Sequence, residues 1–219
     1  MALSIADPGD AWRLAGFTVV DHRVRIGATT IDLARAGESG HGIGRWTLAG
    51  LDAPDGDDEL DGLPTRFTTD PGGTAPGEPH PNGVVGFDHV VVLTPDLERT
   101  TAALAGVGLA CRRVRETISN GGPMRQAFFR LGATVLEVVS GDVGSGLAAA
   151  DAPSTWFGLA LDVDDLDATA AFLGPDGLGP IKAAVQPGRR IATLRHKAFG
   201  LTVPVALMDR HGSDEPAAR

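Results

Sequence analysis

The chain has 219 residues, of which 42% are hydrophobic, and its formal net charge at pH 7 is -9. A chain of this length and apolar content buries a substantial core, whereas its acidic balance argues against a broad basic surface for nucleic acid or an anionic membrane. The only cysteine is Cys111, which excludes an intrachain disulfide and a zinc knuckle.

The first residues indicate the compartment that we expect. The stretch MALSIADPGDAWRL carries acids where a secretory signal has basic and then apolar residues. No uninterrupted apolar run approaches the length that spans a membrane. We therefore expect a cytoplasmic protein whose partner is a small molecule rather than nucleic acid or a membrane.

Residues 1–51 predict a partial structural unit. Residues 11–16 have the pattern of the end of a short helix, and VVDHRVRIGATTIDLA alternates like two strands around Gly27. Residues 44–51, GRWTLAGL, predict a third strand. Because so few elements do not close a core, we expect this unit to pack on the rest of the chain or on a second chain.

The composition changes at residue 52, and we predict a linker rich in Asp, Gly and Pro over residues 52–85. A calcium-binding loop is the alternative, with Asp57, Glu59 and Asp61 at alternate positions. The twelfth position of that loop is Thr68, where a bidentate glutamate is needed. The linker is therefore the favoured interpretation.

Residues 86–210 contain one pattern twice. The first copy gives a strand, FDHVVVLT, a helix, PDLERTTAALAGVG, and three strand-like stretches, ACRRVRE, RQAFFRLG and ATVLEVV. The second gives WFGLALDV, DDLDATAAFLG, IKAAV, RRIATLRH and LTVPVALM. We predict an α+β fold in which βαβββ modules at 86–141 and 155–210 pair into one cupped mixed sheet, beside the N-terminal partial module.

Two short segments flank these modules. Residues 141–146, GDVGSG, follow a strand, as a phosphate-binding loop does, but AAADAPST after them does not predict a strong helix. We therefore interpret them as a flexible link between the modules. Residues 211–219 are expected to form a flexible tail.

The doubled pattern FDHVVVLTPDLE to LGATVLEVV and FGLALDVDDLD to FGLTVPVALM resembles the vicinal oxygen chelate superfamily. Glyoxalase I, extradiol dioxygenases, methylmalonyl-CoA epimerase and the bleomycin-resistance proteins belong to it. The resemblance covers about residues 86–209, and the N-terminal part looks like a degenerate extra copy of the unit. It implies the fold, whereas the reaction has to be argued from the site.

The resemblance also implies a metal position on the cup floor, formed by the first and last strand of each module. His89 and Glu137 occupy these positions in the first module, and Gly158 and Val205 occupy them in the second. Only half of the ligand set is therefore present, unless another side chain such as Asp162 completes it. The ion that the resemblance implies is Ni, Zn, Mn, Fe or Co, with open positions for two substrate oxygens.

His89 and Glu137 have three interpretations. Strand alternation directs both side chains into the cup. A buried imidazole without a partner costs roughly 1 to 3 kcal/mol, so the two residues are expected to pair for structural reasons alone. The alternatives are a metal site and proton transfer or ligand anchoring, because an imidazole held by a carboxylate is a tunable base near neutral pH.

Further residues are candidates for ligand contacts. Arginines bind anions through forked hydrogen bonds, and aromatic side chains supply an apolar wall. His196 either faces the cup or is exposed beside its basic neighbours. Solvated strand edges and ordinary core packing are the alternative explanations for this group, which comprises Arg125 with its neighbour Gln126, Phe128, Trp156, Arg195 and His196.

Two functions from different classes remain. The first is a glyoxalase-like enzyme of lyase, isomerase or epimerase type, which acts on a small oxygen-rich metabolite through His89 and Glu137. The second is a protein that binds a small molecule without chemistry, for resistance or sequestration, around a degenerate metal site. We also expect a homodimer, because the partial N-terminal unit has unpaired strand edges.

Overall fold

The computed structural model describes residues 1–35, 40–53, 55–70, 77–119, 122–141, 149 and 151–210. The predicted tail at 211–219 and all but the first residue of the predicted link at 141–146 lie outside these ranges. None of the helices in the described part of the chain has the length and apolar content that crossing a membrane requires.

The N-terminal part of the chain forms a six-stranded sheet. Its elements in chain order are β1 (Ala2–Pro8), α1 (Gly9–Leu14), β2 (Arg23–Ile26), β3 (Thr29–Ala34), β4 (Ile43–Ala49), β5 (Gly56–Leu60) and β6 (Leu63–Thr68). The strand order is β2-β3-β1-β4-β6-β5. Strand β1 is parallel to β3 and β4 is parallel to β6, while β1 and β4 run antiparallel at the centre.

The rest of the chain forms an eight-stranded sheet. Its first module comprises β7 (Val84–Leu93), α2 (Leu97–Gly106), β8 (Cys111–Ser119), β9 (Gly122–Leu131) and β10 (Thr134–Gly141). Its second module comprises β11 (Thr155–Val163), α3 (Leu166–Gly177), β12 (Lys182–Ala183), β13 (Arg190–Thr193), a 3-10 turn (His196–Phe199) and β14 (Val205–Asp209).

The strand order of this sheet confirms the predicted pairing of two βαβββ modules. The order is β12-β13-β14-β11-β7-β10-β9-β8, with the first strands of the two modules antiparallel at the centre. Each first strand is parallel to the last strand of its own module. The six-stranded sheet repeats this pattern with one strand fewer on each side, so it consists of two reduced modules.

The predicted linker at 52–85 is wrong over residues 56–68, which form the hairpin of β5 and β6. Strand β5 lies at the sheet edge with most of its side chains exposed, so it lacks the apolar alternation that identifies a strand. The turn is Asp61-Gly62, with φ of 50° and 87°. Positive φ at both central residues is the geometry of a type I′ turn, for which Asp-Gly is a strong sequence signal.

Both module helices begin after an aspartate, as the Pro95-Asp96 turn and the matching Asp164-Asp165 pair predict. The Asp96 carboxylate accepts a hydrogen bond from the backbone N–H of Arg99 at the start of α2. The Asp165 carboxylate accepts from the backbone N–H groups of Asp167 and Ala168 at the start of α3. These caps satisfy N–H groups that the helices cannot, and they fix where each chain segment leaves its first strand.

One continuous core joins the two sheets. Buried residues of both contribute to it, among them Trp12, Trp46, Leu136 and Leu161. The Trp46 and Trp156 rings pack edge to face across the two parts, with 5.1 Å between their centroids. The N-terminal unit therefore packs on the larger part of the same chain, which leaves the concave face of the eight-stranded sheet to form a cup.

Candidate functional site

The concave face of the eight-stranded sheet encloses a cavity of about 820 Å³. Strands from both modules and the loop at 184–187 line it. Its apolar wall includes Phe128, Ile191 and Met208, and its polar groups include His89, Gln126 and Glu137. A concave, partly apolar space with a few convergent polar groups is the usual form of a small-molecule site.

The structure brings His89 and Glu137 together in this cavity. Strand β7 pairs in parallel with β10 so that His89 lies beside Val135, and Glu137 follows two residues later on the same face. The His89 Nε2 and Glu137 Oε2 atoms are 3.5 Å apart, and the two side chains are 15% and 13% exposed. An imidazole and a carboxylate thus share the cup floor.

Gln126 fixes the other oxygen of Glu137. It lies on β9, and its amide nitrogen donates a hydrogen bond to Glu137 Oε1. The Gln126 Oε1 atom is buried, and within the described residues it has no hydrogen-bond partner. A buried acceptor without a donor is unfavourable, so the hydrogen-bonding capacity of this oxygen is unused among the described residues.

Asp88 contacts the far side of the His89 ring, which alternation along the strand does not predict. The Asp88 Oδ1 and His89 Nδ1 atoms are 2.6 Å apart. The pairing of β11 with β7 shifts register here, because Leu161 lies beside Phe87 and Ala160 beside His89. Asp88 is the extra residue of this bulge, and a bulge can direct adjacent side chains towards the same region.

A buried arginine holds the Asp88 carboxylate. The Arg189 side chain, only 4% exposed, donates to Asp88 Oδ2 at 2.7 Å, to Asp162 Oδ1 and to the Asp209 carbonyl at 2.7 Å. Burial alone raises the pKa of Asp88, but the hydrogen bonds and charges of His89 and Arg189 outweigh this effect and lower the pKa to about 2. Asp88 is therefore an anion at neutral pH.

Asp88 orients the imidazole ring. A carboxylate can only accept a hydrogen bond, so the His89 Nδ1–H group donates to Asp88, and the Nε2 side of the ring faces Glu137 and the cavity. This carboxylate and imidazole arrangement is typical of a general base whose protonated form is stabilised from behind.

The second module does not complete a metal site. Val205 is 1% exposed and belongs to the core. In the first module, Glu137 lies two residues after the strand partner of His89. In the second module Leu159 pairs with Val205, so the same offset from the partner of Gly158 gives Ala206. Ala206 therefore corresponds to Glu137, which corrects the expected correspondence with Val205. A Cβ atom on Gly158 would lie 2.6 Å from the Pro204 carbonyl oxygen.

The remaining donors do not supply the missing ligands. The Asp162 carboxylate accepts a hydrogen bond from Arg189. His196 lies in the 3-10 turn and does not line the cavity. No group of three or more His, Cys, Asp and Glu side chains suited to a metal ion occurs within the described ranges. These residues do not fit the divalent ion that the resemblance implies, and we derive no step through a metal.

Of the other candidates, Phe128 lines the cup and four residues lie elsewhere. Arg125 forms an ion pair with Glu98 of α2, because it lies on the opposite face of β9 from Gln126 and Phe128. Trp156 packs on Trp46. Arg195 donates to the Pro175 carbonyl, and His196 precedes the short strand β14 rather than extending β13.

Three charged residues of the cavity were not among the sequence-based candidates. They are Arg113 and Arg115 of β8 and Lys182 of β12. The sequence does indicate that Arg113 and Arg115 share a face, because residues two apart on a strand point to the same side of the sheet. Which face that was depended on the register with β9, where Arg115 lies beside Gln126.

Comparison with known proteins gives a likeness of fold. No family model and no curated protein matches the chain. A triple mutant of 4-hydroxymandelate synthase from Streptomyces coelicolor is 15% identical, and the match covers 98% of this chain and 92% of that one with a TM-score of 0.63. Methylmalonyl-CoA epimerase from Mycobacterium tuberculosis is 21% identical, covering 59% and 91% of the two chains with a TM-score of 0.46.

Proposed function

The chain has the vicinal oxygen chelate fold, and on that premise we propose that it is an enzyme that moves a proton on a small oxygen-rich metabolite bound in the cup. The reaction belongs to the lyase, isomerase or epimerase type. The observation that carries this proposal is the Asp88 and His89 pair, whose Nε2 atom faces Glu137 in a cavity large enough for such a ligand.

Proton abstraction beside a carbonyl group is the step that these residues support. The His89 Nε2 lone pair takes the proton, the C–H bond breaks, and its electron pair moves to the carbonyl oxygen to give an enolate. Asp88 on one side of the ring and Glu137 on the other stabilise the imidazolium that forms. Return of the proton to a neighbouring atom isomerises the ligand.

The location of both groups favours isomerisation over epimerisation. His89 and Glu137 are 3.5 Å apart, so both approach the ligand from the same side. Removal and return of a proton on one face suits transfer between adjacent atoms. Inversion of a carbon centre needs a second proton-transfer group on the opposite face of the ligand, which His89 and Glu137 do not supply.

Binding without chemistry is the second candidate. The observation that favours it is the half-empty ligand set, with Gly158 and Ala206 at the positions that correspond to His89 and Glu137. In that case the Asp88, His89 and Glu137 contacts anchor the ligand or stabilise the sheet, and no proton leaves it.

Proton exchange in D2O separates these candidates. The protein is incubated with 2-oxobutyrate, dihydroxyacetone and dihydroxyacetone phosphate, and loss of the C–H signal beside the carbonyl is followed by proton NMR. We expect exchange above the buffer rate for at least one probe, and His89→Gln to slow it by at least about 100-fold while the melting temperature changes little.

The matched control is His41→Gln, because His41 is exposed and lies outside the cavity. This variant should exchange protons at the wild-type rate. Equal rates for His89→Gln and the wild type would contradict the proposal. A His89→Gln protein that loses stability, with exchange unchanged per folded molecule, would identify a purely structural pair.

A further inference from the structure

Three cations line the cup without a carboxylate partner in the described part of the chain. Arg113, Arg115 and Lys182 form no ion pair with any other described residue. Other arginines of the chain do so, for example Arg190 with Asp209. In a protein with 28 acidic and 19 basic residues, three unneutralised cations around one cavity require a reason.

The three cations come from opposite ends of the sheet. Strand β8 is one edge of the eight-stranded sheet and β12 is the other, so Lys182 meets the two arginines only because the sheet curves. Like charges that a fold brings together repel one another unless an anion lies between them. The arrangement therefore fits a negatively charged ligand better than an empty cavity.

The charges on the cavity floor do not neutralise this group. Glu137 is the carboxylate that lines the cavity within the described ranges, and its oxygens face Gln126 and His89. Asp88 and Asp162 are bonded to Arg189. The cup thus has an acid and base pair at its floor and an uncompensated positive charge at its rim.

The spacing suits a ligand that spans both parts. Strands β7 and β8 are separated by β10 and β9, and three strand spacings amount to about 14 Å between backbones. Arg115 lies beside Gln126, which in turn contacts Glu137, so a continuous row of polar side chains runs from the rim to His89. Long arginine side chains shorten this path to the length of a small metabolite.

We propose that the ligand of the cup carries an oxyanion, either a carboxylate or a phosphate, which Arg113, Arg115 and Lys182 bind while its reactive carbon lies against His89. Arginine binds both oxyanions through paired hydrogen bonds, and lysine adds a point charge. This inference rests on the proposed function for the position of the reactive carbon, but the anion site itself is independent of catalysis.

Matched neutral and anionic probes test the anion site by binding alone. Isothermal titration compares 2-oxobutyrate with 2-oxobutanamide, and dihydroxyacetone phosphate with dihydroxyacetone. We expect the anionic member of at least one pair to bind about tenfold more tightly, and added salt to weaken that preference. The pair that shows the preference identifies the carboxylate or the phosphate.

The double variant Arg113→Gln and Arg115→Gln should remove this preference, and Lys182→Gln should reduce it. Arg112→Gln is the matched control, since Arg112 is exposed on the same strand and does not line the cavity. Equal binding of neutral and anionic probes, or an equal loss in Arg112→Gln, would overturn the inference. If the anionic probe still binds tightly to His89→Gln, and neither this variant nor the wild type exchanges protons of any probe, the anion site stands and only the proposed catalysis is contradicted.

Discussion

At the scale of single residues, the site depends on Arg189. Its guanidinium group joins Asp88, Asp162 and the Asp209 carbonyl, which lie on the first strand of one module and the first and last strands of the other. A buried arginine with several partners holds those partners in fixed positions. The orientation of the His89 ring therefore depends on a residue that does not contact the cavity floor.

Replacement of this arginine gives the first prediction. Arg189→Ala leaves the buried Asp88 and Asp162 carboxylates without their common cation, so we expect a loss of about 3 to 5 kcal/mol in the free energy of unfolding. Urea denaturation followed by circular dichroism measures it. The adjacent Arg190→Ala is the control, since Arg190 is more exposed and its ion pairs are screened by solvent.

A difference between these two variants is the essential result. If Arg189→Ala and Arg190→Ala lower the stability equally, the Arg189 network does not have the structural role assigned to it.

At the scale of elements, the bulge in β7 and the close approach at Gly158 distinguish the two modules. The bulge adds Asp88 to the site of the first module. In the second module the backbone of Pro204 lies against Gly158 and accepts a hydrogen bond from the N–H of Leu159. The position that corresponds to His89 therefore has no space for a side chain.

This close approach gives the second prediction. Gly158→Ala places a Cβ atom 2.6 Å from a backbone oxygen that cannot move without breaking strand pairing. We expect the free energy of unfolding to fall by about 1 to 3 kcal/mol, as measured by urea denaturation.

Gly106→Ala is its control, because an added Cβ atom there meets nothing within 4 Å and the residue ends a helix. It should preserve or slightly raise the stability. If Gly158→Ala leaves the free energy of unfolding unchanged, the two strands can move apart, and this position has space for a metal-binding side chain.

At the scale of the whole molecule, the β5 and β6 hairpin attaches the N-terminal sheet to the first module. Asp61 in its turn accepts hydrogen bonds from Arg99 at 2.6 Å, Thr100 at 2.5 Å and Ser154 at 2.7 Å. Its side chain is 7% exposed. Burial alone raises the pKa of Asp61, but the hydrogen bonds of these three residues outweigh it and lower the pKa.

The third prediction concerns this attachment. Asp61→Asn keeps the size of the side chain and tolerates the positive φ of the turn, but it loses the negative charge that Arg99 contacts. We expect a loss of about 1 to 3 kcal/mol in the free energy of unfolding. Differential scanning calorimetry shows whether the two sheets then unfold in separate steps.

Asp57→Asn on the same hairpin is the matched control. Asp57 is exposed, and its ion pairs among the described residues are with Arg45 and Arg66 of the same sheet. It should leave the calorimetric transition nearly unchanged. Equal effects of the two substitutions would mean that Asp61 does not hold the sheets together. The homodimer and the cytoplasmic location stay predictions at this scale.

Local patterns predicted much of the fold and part of the site. The doubled βαβββ pattern, the caps at Asp96 and Asp165, and the shared face of His89 and Glu137 follow from alternation and capping, which act over a few residues. The prediction of a linker was wrong at β5, because an edge strand exposed on both faces has no alternation of apolar residues.

By itself, the sequence determined the repeated modules, the helix starts and the imidazole and carboxylate of the cup, because each depends on neighbours along the chain. Only the tertiary structure decided that a bulge adds Asp88, that Arg189 holds it from another module, and that Arg113, Arg115 and Lys182 meet across one cavity. These contacts join residues distant in sequence, so they exist only once strand register and sheet curvature are set.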